Sequence, residues 1–376
     1  MNMKLVRTIK IRLDEDKNIF QPTIDAYTKA FNYTCQIGWN YKDFNGVSLH
    51  HKVYSTTRQY LPSQLAVSAR MKATEALKST QKRIKQKKKV SCPQSKQASI
   101  RYDARSYNVW LEKNEISLST TEGRKRFKID IPDYFKQYLS WRRCTADLFI
   151  RKDKVFLNIV FEKEINDPVP NGKFVGIDRG IKKLAVTSDK RFFGGGRVKQ
   201  ISRRYQRLRS ILQSKKHSGK RHLREISHKE NRFRRDVNHV VSKQIVSKLE
   251  TGTTIVLEKL KGIRENTIKK RRKKNRYEHS SWSYFQLEEF IKYKAAAKSI
   301  DIQYVDARYT SRGCSKCKHI ARSNRLSQSR FRCKKCDYQL NADLNASFNI
   351  VFNYLDAIGY PDRAFQGALC SLSSTG

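Results

Sequence analysis

Acidic residues are scarce in this chain: 34 Asp and Glu stand against 80 Lys and Arg, a formal net charge of +46 over 376 residues. The basic excess runs along nearly the whole length, so the chain would repel itself unless a polyanion neutralised it, and nucleic acid is the obvious one. A membrane surface is the rival polyanion, but there is no apolar run long enough to span a bilayer and no lipidation signature. The start reads as a strand and not as a secretory leader. Leu5, Arg7, Ile9, Ile11 and Leu13 alternate as a strand does, and the chain is expected to stay in the cytoplasm where it is made. No internal repeat is present. Nor is there a disulfide framework: of eight cysteines, four form two Cys-x-x-Cys pairs, while Cys35, Cys92, Cys144 and Cys370 are scattered singly. That usage fits a reducing compartment and a metal site.

What is present is enough apolar residue to build a core, over a length that suggests two or three domains. Phe20, Ile24, Tyr27 and Phe31 recur at helical spacing, and Leu65 to Leu77 forms a second helical run after Pro62. The basic stretch Lys82 to Lys89 closes this helical unit. Short strands are then expected over Tyr107–Leu111, Phe127–Ile131, Ala146–Ile150 and Val155–Phe161, giving a barrel-like β domain (1–15 and 90–165) that carries a helical insertion (16–89).

The segment 166–172, with Pro168, Pro170 and Gly172, reads as the clearest linker. Beyond it, a three-stranded meander is expected over 174–178, 184–187 and 191–193. A basic helical region follows, and its last part places Val237, Val241, Ile245 and Leu249 on one face. A strand at 253–258, a basic segment from Lys259 to Arg276, a helix at 283–299, a strand at 302–305 and a final helix at about 344–356 complete this lobe. The tail, 359–376, is rich in Ser and Gly and reads as loosely ordered.

Cys314-x-x-Cys317 and Cys333-x-x-Cys336 are separated by fifteen residues, a loop length that lets two knuckles give four thiolates to one tetrahedral zinc. With every position filled by protein, this Zn2+ is expected to be structural. Three acids stand apart from the basic background. Asp178 ends the run Phe174 to Ile177, Glu258 ends Thr254 to Leu257, and Asp343 sits where a helix N-cap is expected, seven residues after Cys336. Each has an ordinary reading: a cap for Asp343, a pair with Lys259 for Glu258, a turn through Gly180 for Asp178. Together they suggest hard divalent cations, Mg2+ or Mn2+, because lone carboxylates beside a phosphate-binding surface would otherwise repel the ligand.

The segments Val-Gly-Ile-Asp-Arg-Gly-Ile-Lys-Lys-Leu-Ala (175–185), Ile-Val-Leu-Glu-Lys-Leu (255–260) and Asn-Ala-Asp-Leu-Asn-Ala-Ser (341–347) resemble the three parts of a RuvC nuclease. The intervening four-cysteine ribbon, entered through Tyr309 to Cys314, is similar to that of the TnpB proteins of insertion-sequence transposons, relatives of type V CRISPR effectors. The resemblance is sharp over about 174–352 and only architectural before residue 165. Asn341 stands where the family commonly has an acid, and Lys318 where it commonly has glycine.

The resemblance implies an α/β fold: an RNase H-like (RuvC) nuclease domain (172–308 and 340–358) with an inserted zinc ribbon (309–339), plus an N-terminal β-barrel wedge domain carrying the helical recognition insertion. It implies an RNA-guided DNA endonuclease, monomeric and nucleoid-associated, whose guide RNA derives from the transposon end and whose target is double-stranded DNA beside a short motif. Asp178, Glu258 and Asp343 match the family's catalytic acids. Two metals held there would activate the attacking water and stabilise the departing 3′ oxygen. Lys182, Lys183, Arg330 and Arg332 are expected to hold the strand, and Arg203, Arg204, Arg207, Lys269, Lys270 and Arg271 to meet the phosphates of an A-form guide–target duplex. Trp282, Tyr284 and Phe285 are candidates for base stacking, with core packing the better reading for at least two. Tyr54, Gln64 and Ser68 are candidates for reading the duplex motif. A compact type V effector and a non-cleaving RNA-guided repressor share these motifs; a transposase proper would use a different acidic set or a tyrosine nucleophile.

Overall fold

The computed structural model describes residues 3–260, 277 and 282–360. Two compact units divide between Glu164 and Ile165. Strand β1 (Met3–Leu13) opens the first, burying Leu5, Ile9, Ile11 and Leu13 at every second position and exposing the residues between. Three helices follow: α1 (Gln21–Asn40), α2 (Gly46–Thr57) and α3 (Ser63–Lys85). Phe20, Ile24 and Tyr27 are wholly buried, as are Leu65, Ala69, Ala73 and Leu77 at successive turns of α3. Helix α2 is an addition to the sequence reading. It is started by Asn45, whose side chain accepts from the backbone N–H groups of Val47 and Ser48, and it buries only Leu49, Val53 and Thr57.

The rest of this unit comprises β2 (Ile100–Tyr102), β3 (Tyr107–Trp110), β4 (Glu115–Thr120), β5 (Gly123–Lys128), a one-turn α4 (Asp133–Lys136), β6 (Arg142–Arg151) and β7 (Lys154–Ile165). They form two sheets, ordered β1-β7-β6-β2 and β3-β4-β5, around one core that the helices also share; β2, β6 and β7 pair antiparallel, as do β3, β4 and β5. The strand expected at 127–131 lies earlier, at Gly123–Lys128, where it pairs with the unanticipated β4.

The second unit contains β8 (Phe174–Asp178), β9 (Lys183–Thr187), β10 (Phe192–Gly194), α5 (Gly196–Ser214), α6 (Lys216–Ile226), α7 (Lys229–Ser247), β11 (Thr254–Glu258), α8 (Tyr284–Ala297), β12 (Asp301–Val305), β13 (Arg330–Arg332), β14 (Gln339–Asn341) and α9 (Ala342–Ala357). Its main sheet has the order β10-β9-β8-β11-β12. Strands β8, β11 and β12 run parallel, and β9 and β10 form an antiparallel edge. The central strands are covered on both sides, which is why they read as unbroken apolar runs.

The alternation within β8 and β11 decides where the acids go. Val175, Ile177, Ile255 and Leu257 face one way, against Val241, Ile245 and Leu249 near the end of α7 and Leu287, Ile291 and Ala295 of α8. Gly176 and Val256 face the other, toward α9. A Cβ on Gly176 would stand 2.2 Å from the Ser347 carbonyl oxygen and 2.8 Å from Val351 Cγ2, so only glycine lets the helix lie this close. By the same period of two, Asp178 and Glu258, each two residues further along, fall on the α9 side at the carboxyl ends of neighbouring parallel strands. The segment holding Lys269, Lys270 and Arg271, and the tail from residue 361, lie outside the described residues.

Candidate metal centres and nucleic-acid interface

Glu258 and Asp343 are each 8 % exposed, and Asp178 is half-buried. Asp343 does not cap α9, contrary to the sequence reading. Asn341 does, its side-chain oxygen accepting from the backbone N–H groups of Asp343 (3.0 Å) and Leu344 (3.2 Å). That places Asp343 in the first turn, where the helix dipole favours negative charge, with its carboxylate free for other partners. Arg325 supplies one, donating to Asp343 Oδ1 at 3.0 Å. Glu258 does not pair with Lys259. Instead it accepts the Thr310 hydroxyl at 2.5 Å.

Beneath the acids lies Arg179, its side chain wholly buried. It donates to the Glu258 carbonyl oxygen at 2.7 Å and to Glu288 Oε2 at 2.5 Å, and Glu288 in turn accepts from the Tyr304 hydroxyl at 2.8 Å. This guanidinium ties the end of β11 to α8 and β12.

Burial pushes the Asp178 carboxyl up to about 8, and the charges of Glu258 and Asp343 push the same way against the opposing pull of Arg325 and Arg179. Burial also raises Glu258, opposed by the Thr310 hydrogen bond and Arg179. An acid raised by burial and then by two neighbouring carboxylates, with two arginines as partial compensation, marks a site whose electrostatics favour added positive charge.

The cysteines form a second centre. Their four sulfur atoms all lie within 4.8 Å of one another, a closeness that, among the described residues, the three carboxylates do not share. Sγ of Cys314 stands 3.7 Å from that of Cys336, and Sγ of Cys317 3.5 Å from that of Cys333. Tetrahedral ligands about 2.3 Å from zinc are about 3.8 Å apart, so the quartet fits that ion. Burial raises the Cys314 and Cys317 thiols, while against burial the backbone N–H groups of Cys336 and Lys335 and the neighbouring thiols hold Cys333 down, so Cys333 ionises before those two. Lys318 and Asp337, the residues after each knuckle, adopt φ of 57° and 56°. This left-handed turn explains why glycine suits the position that Lys318 fills.

Arg203, Arg204 and Arg207 lie exposed on α5 and line an open groove of about 650 Å³ with Lys199 and Ile211. Lys182 is exposed, and Lys183 is half-buried with its ammonium 5.7 Å from the Phe192 ring centre. Arg330 is exposed, while Arg332 makes a two-pronged pair with Asp337 (2.5 and 3.0 Å). Trp282 and Tyr284 pack against each other with ring centres 5.0 Å apart, and Phe285 is 60 % exposed. Of the motif-reading candidates, Tyr54 is half-buried against His50, and Gln64 is half-buried. Ser68 must be withdrawn: it is 6 % exposed, and its hydroxyl bonds within the core to the Tyr27 hydroxyl (2.9 Å) and the Arg101 carbonyl (2.5 Å).

Arg179, Thr310, Arg325 and Glu288 were missed by sequence reasoning. Arg179 had a signal, its place beside Asp178; the others act through tertiary contacts that no local pattern marks.

Residues 158–264 match the family model OrfB_IS605, described as "Probable transposase", and residues 284–350 match the Cas12f1-like TNB domain. The chain is 32% identical over 228 residues to a CRISPR-associated endodeoxyribonuclease Cas12f1 of Sulfoacidibacillus thermotolerans, a match covering 55% of this chain and 52% of that one. It thus spans about half the length of that relative. It is 26% identical over 258 residues to the TnpB-like protein MJ0751 of Methanocaldococcus jannaschii, covering 63% of this chain and 90% of that one. In fold it is similar to a Cas12f1 chain solved by cryo-electron microscopy with sgRNA and target DNA, with a TM-score of 0.59 at 16% identity over 89% of this chain and 82% of that one. Both family models and the relatives thus agree in what this chain is similar to, TnpB-like and Cas12f1 proteins.

Proposed function

We propose that the chain is an RNA-guided DNA endonuclease whose cutting centre is Asp178, Glu258 and Asp343 in an RNase H-like (RuvC) domain. One observation carries the reading: two neighbouring parallel strands end in acids on the same side of the sheet, and the helix covering that side brings a third in its first turn. Magnesium or manganese bound there would supply a polarised water and charge stabilisation for phosphodiester hydrolysis. The protein's part is to hold the carboxylates ready. Thr310 fixes Glu258, Arg179 fixes the strand end beneath it, and Asn341 leaves the Asp343 side chain free. Arg325, only partly exposed, can release Asp343 when added positive charge takes its place, or turn to a phosphate.

The α5 arginines would track the backbone of a guide–target duplex, which is recognised by its phosphates rather than its sequence. The first unit would then read a duplex motif beside the target, with Tyr54 and Gln64 as the remaining candidates. A transposon-end RNA is the guide that the resemblance to TnpB proteins implies; a CRISPR-derived guide is the second reading, favoured by the CRISPR-associated relative.

The test uses the full chain with its copurified RNA. That RNA is sequenced, and double-stranded DNA matching its guide portion is incubated with the complex and magnesium. Cleavage that Asp178→Asn abolishes, with DNA binding kept, is expected. A complex that binds the DNA and leaves it intact would make the protein a binder, not a nuclease.

A further inference from the structure

The ribbon segment meets the acid centre through Arg325, which donates to Asp343, and through the hydroxyl of Thr310, which donates to Glu258. Thr310, four residues before Cys314, is 3 % exposed, and its Oγ1 lies 2.5 Å from Glu258 Oε1 and 3.1 Å from the Ala307 carbonyl oxygen. A hydroxyl has one proton, and the shorter contact to the carboxylate takes it.

The loop that presents this hydroxyl is fastened to α9 by two buried asparagines. Asn349 Nδ2 donates to the carbonyl oxygens of Thr310 and Gly313, each at 2.8 Å. Asn345 Nδ2 donates to Gly313 O at 2.8 Å, and its Oδ1 accepts the backbone N–H of Ser315, inside the first knuckle, at 3.1 Å. A continuous chain of contacts therefore runs from the zinc knuckle through Gly313 and Ser315, Asn345 and Asn349, and Thr310 to Glu258. Asp343 sits on the same helix as the two asparagines. If the hydroxyl only satisfied a buried carboxylate, any local donor would do; this one is delivered by the segment that carries the zinc ligands.

We propose that Thr310 is a positioning residue that fixes the Glu258 carboxylate for a divalent cation, and that the folded zinc ribbon, through this loop, sets how tightly the acid centre holds that cation. This rests on the nuclease reading above. Groups that orient a metal-binding side chain typically change metal affinity by about 10–100-fold when removed.

The experiment is Mn2+ binding to the full-length, zinc-loaded chain, read from the electron paramagnetic resonance of free Mn2+, with zinc content measured on every sample. Thr310→Val should weaken Mn2+ binding by roughly tenfold with zinc content unchanged, and Thr310→Ser, which keeps the hydroxyl, should restore it to within about twofold. If Thr310→Val loses zinc, Thr310→Ala removes the same hydroxyl with less bulk and is read in the same way. Binding unchanged in the hydroxyl-free variants, or Thr310→Ser as weak as Thr310→Val, overturns the inference. Asp178→Ala separates the two readings. Should it lose Mn2+ while the Thr310 variants keep it, only the inference falls; should it bind as the unmodified chain does, the acid-centre reading falls and takes the inference with it.

Discussion

Asp178 holds its proton up to about 8, and that has a consequence for stability. An acid raised on folding stabilises the folded state fully below its unfolded value of 3.8, and this contribution is lost as pH rises through about 8. Glu258, also raised, acts with the same sign. Magnesium-free protein should therefore unfold at lower temperature as pH climbs toward about 8, with no further loss from this group above that value, and Mg2+ should offset much of the loss. Asp178→Asn should flatten the slope; thermal unfolding across that range checks it, and a slope unchanged by the substitution would contradict the shared electrostatics. At this scale the sequence marked the acids and cysteines, because a carboxylate ending an apolar run and a paired Cys-x-x-Cys are local patterns. It could not mark Thr310 or Arg325, which are ordinary among many hydroxyls and 80 basic residues until the fold brings them together. Asp343 misled for a local reason too: Asn341 and Asp343 are both good caps, and backbone geometry chose Asn341.

The joint between β8 and α9 sets the third acid's position, and Gly176 sets the joint. Gly176→Ala would drive a methyl group into the Ser347 carbonyl and Val351, lifting the helix that carries Asp343. We expect a loss of about 2–4 kcal/mol in urea unfolding together with weaker divalent-cation binding. A loss under about 0.5 kcal/mol would mean the helix shifts freely. Elements with a strong apolar period, such as β1, α3 and the end of α7, were legible. Helix α2 and strand β4 were not. The first buries three residues in twelve, and the second buries Ser117 between Ile116 and Leu118, so neither shows a clean period.

For the whole molecule, the net charge of +46 requires that nucleic-acid affinity fall steeply with salt. If Arg203, Arg204 and Arg207 touch phosphates, changing all three to Ala should lower the slope of log affinity against log salt by about 0.7–0.9 for each phosphate no longer neutralised. A weaker complex with an unaltered slope would mean these side chains only solvate the groove. Composition pointed to a polyanion; which face would meet one was not legible, because basic residues are spread along nearly the whole chain.

The central claim is that the acids at the ends of β8 and β11 and in the first turn of α9 together hold divalent cations. Crystals of the full chain soaked in Mn2+ and measured for anomalous scattering test it most directly. The expected map has manganese peaks at about 2.0–2.3 Å from oxygens of Asp178, Glu258 and Asp343, distinct from the zinc peak among the four cysteines. A zinc peak alone, with Arg325 still bound to Asp343 and no manganese beside Asp178, would contradict it.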